Sequence, residues 1–250
     1  MTPPQLPEGG GLAMVVRAIQ QRVTYPRSAL RYGIQGQSRV TFAVAPDGQV
    51  RWVKIVNGIQ PDMDSVVVWA VRQLPRLIPA TQYGKPVACL MTAPITFAIE
   101  EPFGFRKKSY KLPAADSTQL YTAVTHMPLY QGKAGYGQLS ADLLAEYLRL
   151  QTSAGCPIPR TGLGVLVTIG PSGTISNVQL AKGNQQDTDA LRAEYGDAVM
   201  QREEGEEDFS AACVAALVQA AQRLPRLEPA QAGNKRVAMQ LQLTLPAPKN

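Results

Sequence analysis

The chain has 250 residues, 45% hydrophobic and 18% charged, a balance that excludes a disordered polypeptide and suits one large domain or two of about 125 residues. No window reaches the roughly 18–20 unbroken apolar residues of a membrane span, and the start, MTPPQLPEGGG, lacks the basic and apolar regions of a signal peptide. The net charge of +6 is uneven, with 14 Lys/Arg against 6 Asp/Glu in residues 1–115 and 11 against 13 in residues 116–250; the basic residues stand singly apart from Arg106, Lys107, Lys108 and Lys111, without interleaved aromatics, which argues against nucleic-acid binding.

In chain order, residues 12–23 carry Val15, Val16 and Ile19 at helical spacing before Tyr25-Pro26. Val40, Phe42 and Val44 then alternate with Arg39, Thr41 and Ala43, as a half-buried strand does. Ala45-Pro46-Asp47-Gly48 supplies a turn, and Val50, Val53 and Ile55 a return strand. Met63, Val66, Val67, Ala70, Val71 and Leu74 line one face of a helix that Asp62 or Asp64 caps and Pro75 ends. A third strand covers residues 86–99.

The second half repeats this order. GQSRVTFAVAPDGQVRWVKIVNG (36–58) aligns with TGLGVLVTIGPSGTISNVQLAKG (161–183) at an offset of 125, and LPRLIPA (74–80) recurs as LPRLEPA (224–230) at an offset of 150. A helix is predicted over 139–150, a hairpin about Gly170-Pro171-Ser172-Gly173, a helix with Cys213, Ala216, Leu217, Ala220, Ala221 and Leu224 on one face, and a strand over 236–246. The fold class is therefore α+β: two tandem α-β-β-α-β domains, each a three-stranded antiparallel sheet with helices packed on one face. The boundaries are 1–100 for the first domain, 101–118 for a charged linker, and 119–250 for the second. The second carries about 25 extra residues, read as a surface insertion near 184–208 with the acidic run EEGEED (203–208).

These residues resemble a known family. YPRSALRYGIQGQSRVTFAVAPDGQVRWVKIVNG (25–58), followed by Asp64, Leu74, Pro79, Gly84, Pro86-Val87 and PITF (94–97), is similar to the C-terminal domain of TonB-type energy transducers. LPEGGG (6–11) and THMPLYQGKAG (125–135) both resemble the Met-Pro-x-Phe-x-Gly-Gly segment that precedes it in some transducers. The second copy departs from the pattern, with Cys156-Pro157 and Thr161-Gly162 in place of Tyr-Pro and Gly-Ile-x-Gly. The resemblance implies a periplasmic location and a partner, a short peptide segment of outer-membrane TonB-dependent transporters, added as a strand at a sheet edge. It also implies coupling to inner-membrane motor proteins through an anchor that this chain lacks. The edges expected to bind are Ala88, Cys89, Leu90, Met91, Thr92 and Ala93 in the first copy, and Ala238, Met239, Gln240, Leu241, Gln242 and Leu243 in the second.

Other chemistry finds little support in the residues. Cys89, Cys156 and Cys213 form no CxxC, and His126 is the lone histidine, so no metal site is predicted. Cys89 and Cys213 sit in apolar runs and read as small core residues. No nucleophile motif or phosphate loop is present, so neither an enzyme nor a cofactor is expected. The alternative is a cell-envelope assembly module, for which exposed edges also permit a homodimer.

Overall fold

The computed structural model describes residues 2–99, 119–133, 136–154, 156, 163–181, 185–199 and 211–245. In chain order the first half gives α1 (Gly11–Arg22), α2 (Arg27–Tyr32), β1 (Gln35–Val44), β2 (Val50–Asn57), α3 (Pro61–Arg72), β3 (Ala80–Gln82), β4 (Lys85–Val87) and β5 (Cys89–Phe97). The second gives β6 (Leu120–Tyr121), β7 (Ala123–Val124), α4 (Gly137–Ala154), β8 (Leu163–Ile169), β9 (Ile175–Leu180), α5 (Gln185–Tyr195), α6 (Ala211–Arg223), β10 (Gln231–Ala232), β11 (Lys235–Arg236) and β12 (Ala238–Leu245). The α+β class stands. Both third strands are interrupted, at Ala88 and at Val237, because a tight hairpin (β3–β4, β10–β11) precedes each long strand.

Two compact units interleave along the chain. Unit 1 is Met1–Thr24, Ser38–Ile95 and Lys182–Glu207; unit 2 is Tyr25–Gln37, Thr96–Ala181 and Asp208–Asn250. This differs from the division into 1–100 and 119–250, and the expected linker 101–118 lies outside the described residues.

In unit 1, β1 runs between β2 and β5. Val40, Phe42 and Val44 are fully buried on one face, with Met91, Ala93 and Ile95 of β5 buried too. Thr41 and Ala43 point to the other face, where the Thr41 and Thr92 hydroxyls meet at 2.9 Å. Helix α3 starts at Pro61, whose missing N–H costs nothing in the first turn, and buries Met63, Val67, Ala70 and Val71, largely the face expected of it. Neither Asp62 nor Asp64 holds the N-cap position itself, although Asp62 accepts the Met63 N–H of the first turn at 2.9 Å. Gln60 is the N-cap without a side-chain bond, and Asp64 instead accepts the Ile59 N–H and the Ser38 hydroxyl, both at 3.1 Å.

The second face of this sheet is covered as well. Ala43 and Ala88 pack with Leu191 of α5 and with Val199, with Leu90 and Tyr195 at the margin, and Lys54 of β2 donates to Asp187 at 3.0 Å. The segment read as a surface insertion thus opens with a helix, and its Leu191 is 1% exposed. Few apolar residues in QQDTDALRAEY announce this, since one leucine suffices to fill the space over two alanines. The acidic run 203–208 lies outside the described residues.

In unit 2 the sheet order is β6-β12-β8-β9, with β6 parallel to β12 and the rest antiparallel. Val165, Val167 and Ile169 of β8 and Met239, Leu241, Leu243 and Leu245 of β12 form one core with Leu139, Leu143 and Tyr147 of α4 and the apolar face of α6. Strand β7 adds to the start of β1, pairing Val124 with Gln35 and Ala123 with Gly36. These two-residue additions, absent from the three-stranded expectation, are too short to show an alternating pattern. Cys213 of α6 is disulfide-bonded to Cys156, with Cα atoms 5.5 Å apart. The reading of Cys213 as a plain core residue is therefore corrected: it is buried, and it is bonded.

The repeated sequence blocks touch one another within each unit. The Leu77 N–H donates to the Gly48 carbonyl at 2.9 Å in unit 1, and the Leu227 N–H donates to the Gly173 carbonyl at 2.9 Å in unit 2. The segment after each Leu-Pro-Arg-Leu then pairs with an upstream stretch. Gln5 and Ile78 exchange backbone bonds in unit 1, as do Leu129 and Glu228 in unit 2. LPEGGG and THMPLYQGKAG, grouped by sequence, thus lie beside equivalent segments.

Candidate functional site

Strand addition needs main-chain groups that point away from the existing sheet. At the start of the first candidate edge, the Ala88 N–H donates to the Ala198 carbonyl at 2.6 Å and Ala88 bridges Val199 in parallel. The outward side of Ala88 is therefore already occupied. The period of two carries the same outward direction to Leu90, Thr92 and Pro94. Among the described residues no strand lies beside the outward groups of Leu90 and Thr92. Pro94 has no N–H and closes this stretch. Side chains of Cys89, Met91 and Ala93 are buried, whereas Leu90 and Thr92 are partly exposed. Of the six residues expected at this edge, Leu90 and Thr92 present backbone, and the odd-numbered ones supply core.

The second candidate edge is engaged along much of its length. Ala238 and Met239 pair with Leu120 and Tyr121 of β6. Gln242 meets a side chain that imitates a strand: its N–H donates to the Gln37 Oε1 at 2.6 Å and its carbonyl accepts from the Gln37 Nε2 at 3.2 Å. Gln37 is 4% exposed, and a buried primary amide that both donates and accepts satisfies two backbone groups at once. On the opposite side β12 is laddered to β8 from Met239 to Leu245. Gln240 lies between the two engaged positions, and the side chains of Leu241 and Leu243 belong to the core. Sequence reading missed Gln37 because a glutamine in a strand is expected to face water.

Cys156 and His126 do not form a nucleophile and base pair. Cys156 carries its sulfur in the disulfide. His126 is tied by backbone bonds to Gln231, with its Nδ1 3.2 Å from the Thr125 hydroxyl. Among the described residues no group of three His, Cys, Asp or Glu side chains could hold a metal ion, and no helix is long and apolar enough to cross a membrane. Burial pushes the Cys89 thiol up to about 12, so it stays protonated and unreactive in the folded chain. Alkylation at pH 8 is expected to label no cysteine in the native protein, one after denaturation, and three after denaturation with reductant. Counting labels by intact mass checks this.

The family model described as Gram-negative bacterial TonB protein C-terminal matches residues 21–99. That family is a non-catalytic, periplasmic domain of energy transducers. The match takes in α2, β1, β2, α3 and β3 to β5 and does not extend to the second half of the chain. Two solved structures are similar. The Helicobacter pylori TonB C-terminal domain, residues 179–285, is 22% identical and covers 36% of this chain and 83% of that one, with a TM-score of 0.29. Residues 194–285 of the same protein are 24% identical and cover 36% and 96%, again at 0.29. No curated protein matches.

Proposed function

We propose that this chain is the periplasmic binding part of a TonB-like energy transducer, and that it takes a short, extended segment of an outer-membrane transporter as an added strand on β5. The family match over residues 21–99 supports the class of protein. The observation that carries the site is the pair of outward-facing residues, Leu90 and Thr92, between the occupied Ala88 and Pro94. A disulfide between Cys156 and Cys213 also suits an oxidising compartment such as the periplasm.

Leu90 and Thr92 each offer one donor and one acceptor, and the Leu90 carbonyl also takes a weak bond from the Cys89 thiol at 3.5 Å, which leaves its second lone pair for a partner. At about 1 kcal/mol net per main-chain bond, four bonds give about 4 kcal/mol, which corresponds to a dissociation constant near 1 mM. Side-chain contacts must supply whatever affinity lies beyond that. Such weak engagement suits a coupling that forms and breaks with each transport cycle. Force on the added strand would come from inner-membrane motor proteins acting through an anchor in the parent protein.

A two-dimensional NMR titration with a pool of transporter N-terminal peptides tests this reading. Shifts are expected at residues 90–93 and are expected to be small or absent at Gln242. Thr92→Pro removes one outward N–H, as Pro94 already does one step on, and should weaken binding at least tenfold. Thr92→Val, which keeps the backbone, should bind as the original chain does. An absence of shifts at millimolar peptide, together with concentration-dependent sedimentation, would instead make the chain a self-associating envelope module.

A further inference from the structure

The chain has two tryptophans, and both are exposed in unit 1: Trp52 at 39% and Trp69 at 56%. Trp69 lies on the outer stripe of α3 with Ser65, Val68, Arg72 and Gln73, and this stripe and Ile55 of β2 line an open cleft. Strand β2 is an edge of its sheet. It carries a bulge where Trp52 takes a φ of 51° and the register with β1 shifts, and this protects its first half from a flat added strand.

Two charged side chains, Asp64 and Arg72, line the cleft. The Asp64 carboxylate is engaged inside the unit by the Ser38 hydroxyl and the Ile59 N–H. Arg72 has no ion-pair partner among the described residues. What the cleft offers a partner is therefore the indole of Trp69, the aliphatic surfaces of Ile55 and Val68, and the Arg72 guanidinium, exposed and without an ion pair among the described residues. Trp and Arg are the residue types in which binding energy concentrates, and an arginine fork matches a carboxylate.

The second copy lacks these features. At offset 150 it has Gln219 for Trp69 and Gln222 for Arg72, while Val218 matches Val68. An exposed tryptophan is thus no requirement of the α-helix or of its packing, because the inner faces of α3 and α6 are buried alike without it.

We propose that this cleft of unit 1 is a second peptide-docking surface, distinct from the β5 edge. Its occupant is a segment of a partner protein that places an aliphatic or aromatic side chain on Trp69 and an Asp or Glu carboxylate on Arg72.

The test is selection of the full chain against a displayed random dodecapeptide library, followed by titration of the enriched peptides. Trp69→Gln and Arg72→Gln install the residues found at the matched positions of the second copy. Enriched peptides are expected to combine apolar residues with Asp or Glu, and to lose at least tenfold in affinity to either variant. Thr92→Pro, which alters the β5 edge, should leave their affinity unchanged. The proposal is overturned if nothing is enriched, if the enriched peptides lack carboxylates, or if they bind both glutamine variants as tightly as the original chain. Peptides that lose affinity only through Thr92→Pro would also overturn it, since they would belong to the β5 edge.

Discussion

Replacing Cys156 and Cys213 together by alanine is expected to lower the midpoint of thermal unfolding of unit 2 by about 10 °C. The disulfide joins residues 57 apart in sequence, and closing a loop of that size restricts the unfolded chain by about 4 kcal/mol in the chain-entropy account. For a unit of this size each kcal/mol moves the midpoint by roughly 2–4 °C. The loop spans β8, β9 and α5, so the bond ties the first turn of α6 to the segment leaving α4. Cys156 and Cys213 are 4% and 3% exposed. Alanine fits both places without introducing a polar group, and the loss therefore reports the cross-link itself. Calorimetry of the oxidised chain, the reduced chain and the double variant checks the value. Equal midpoints in all three would mean that the bridge contributes nothing.

Gly173→Ala is expected to destabilise unit 2 by about 3 kcal/mol, and Gly48→Ala to do the same in unit 1. Each glycine sits at φ 80° in its hairpin turn, and a Cβ there would overlap the carbonyl oxygen of Leu227 or Leu77. The left-handed backbone costs an alanine about 1 kcal/mol, and the displaced Leu-Pro-Arg-Leu segment loses the backbone bond to the turn and part of its packing. Gly233 separates the two contributions. It has φ 64°, and a Cβ added to it would meet no atom within 4 Å, so Gly233→Ala should lose only about 1 kcal/mol. Urea midpoints of the three variants decide the matter, and equal losses at Gly173 and Gly233 would show that the contact with Leu227 is unimportant.

That turn-to-leucine contact explains much of what could be read in advance. The hairpins, the inner faces of α3 and α6 and the repeated Leu-Pro-Arg-Leu block are set by short-range patterns: alternation along a strand, 3.6-residue spacing along a helix, glycine where φ is positive. The same local signals were silent about α2. Its six residues end at Gly33 with φ 63°, but RSALRY is too short to show a helical stripe. They were also silent about α5, where one buried leucine does the packing.

The candidate edges show the limit from another side. Alternation located the strands β5 and β12, and family resemblance nominated them. Which of their backbone groups stay open depends on Ala198 reaching Ala88, 110 residues earlier, and on Gln37 reaching Gln242, 205 positions away. The sequence by itself determined the two long hairpins, the inner faces of α3 and α6, the α+β class and the repeat, because backbone preference and side-chain periodicity act within a few residues. Only the tertiary structure decided the disulfide, the cover over the second face of β1, the occupied edge of β12 and the exposed stripe of α3. Each of these is a meeting of distant segments, and which ones meet is settled by the space left when the cores close.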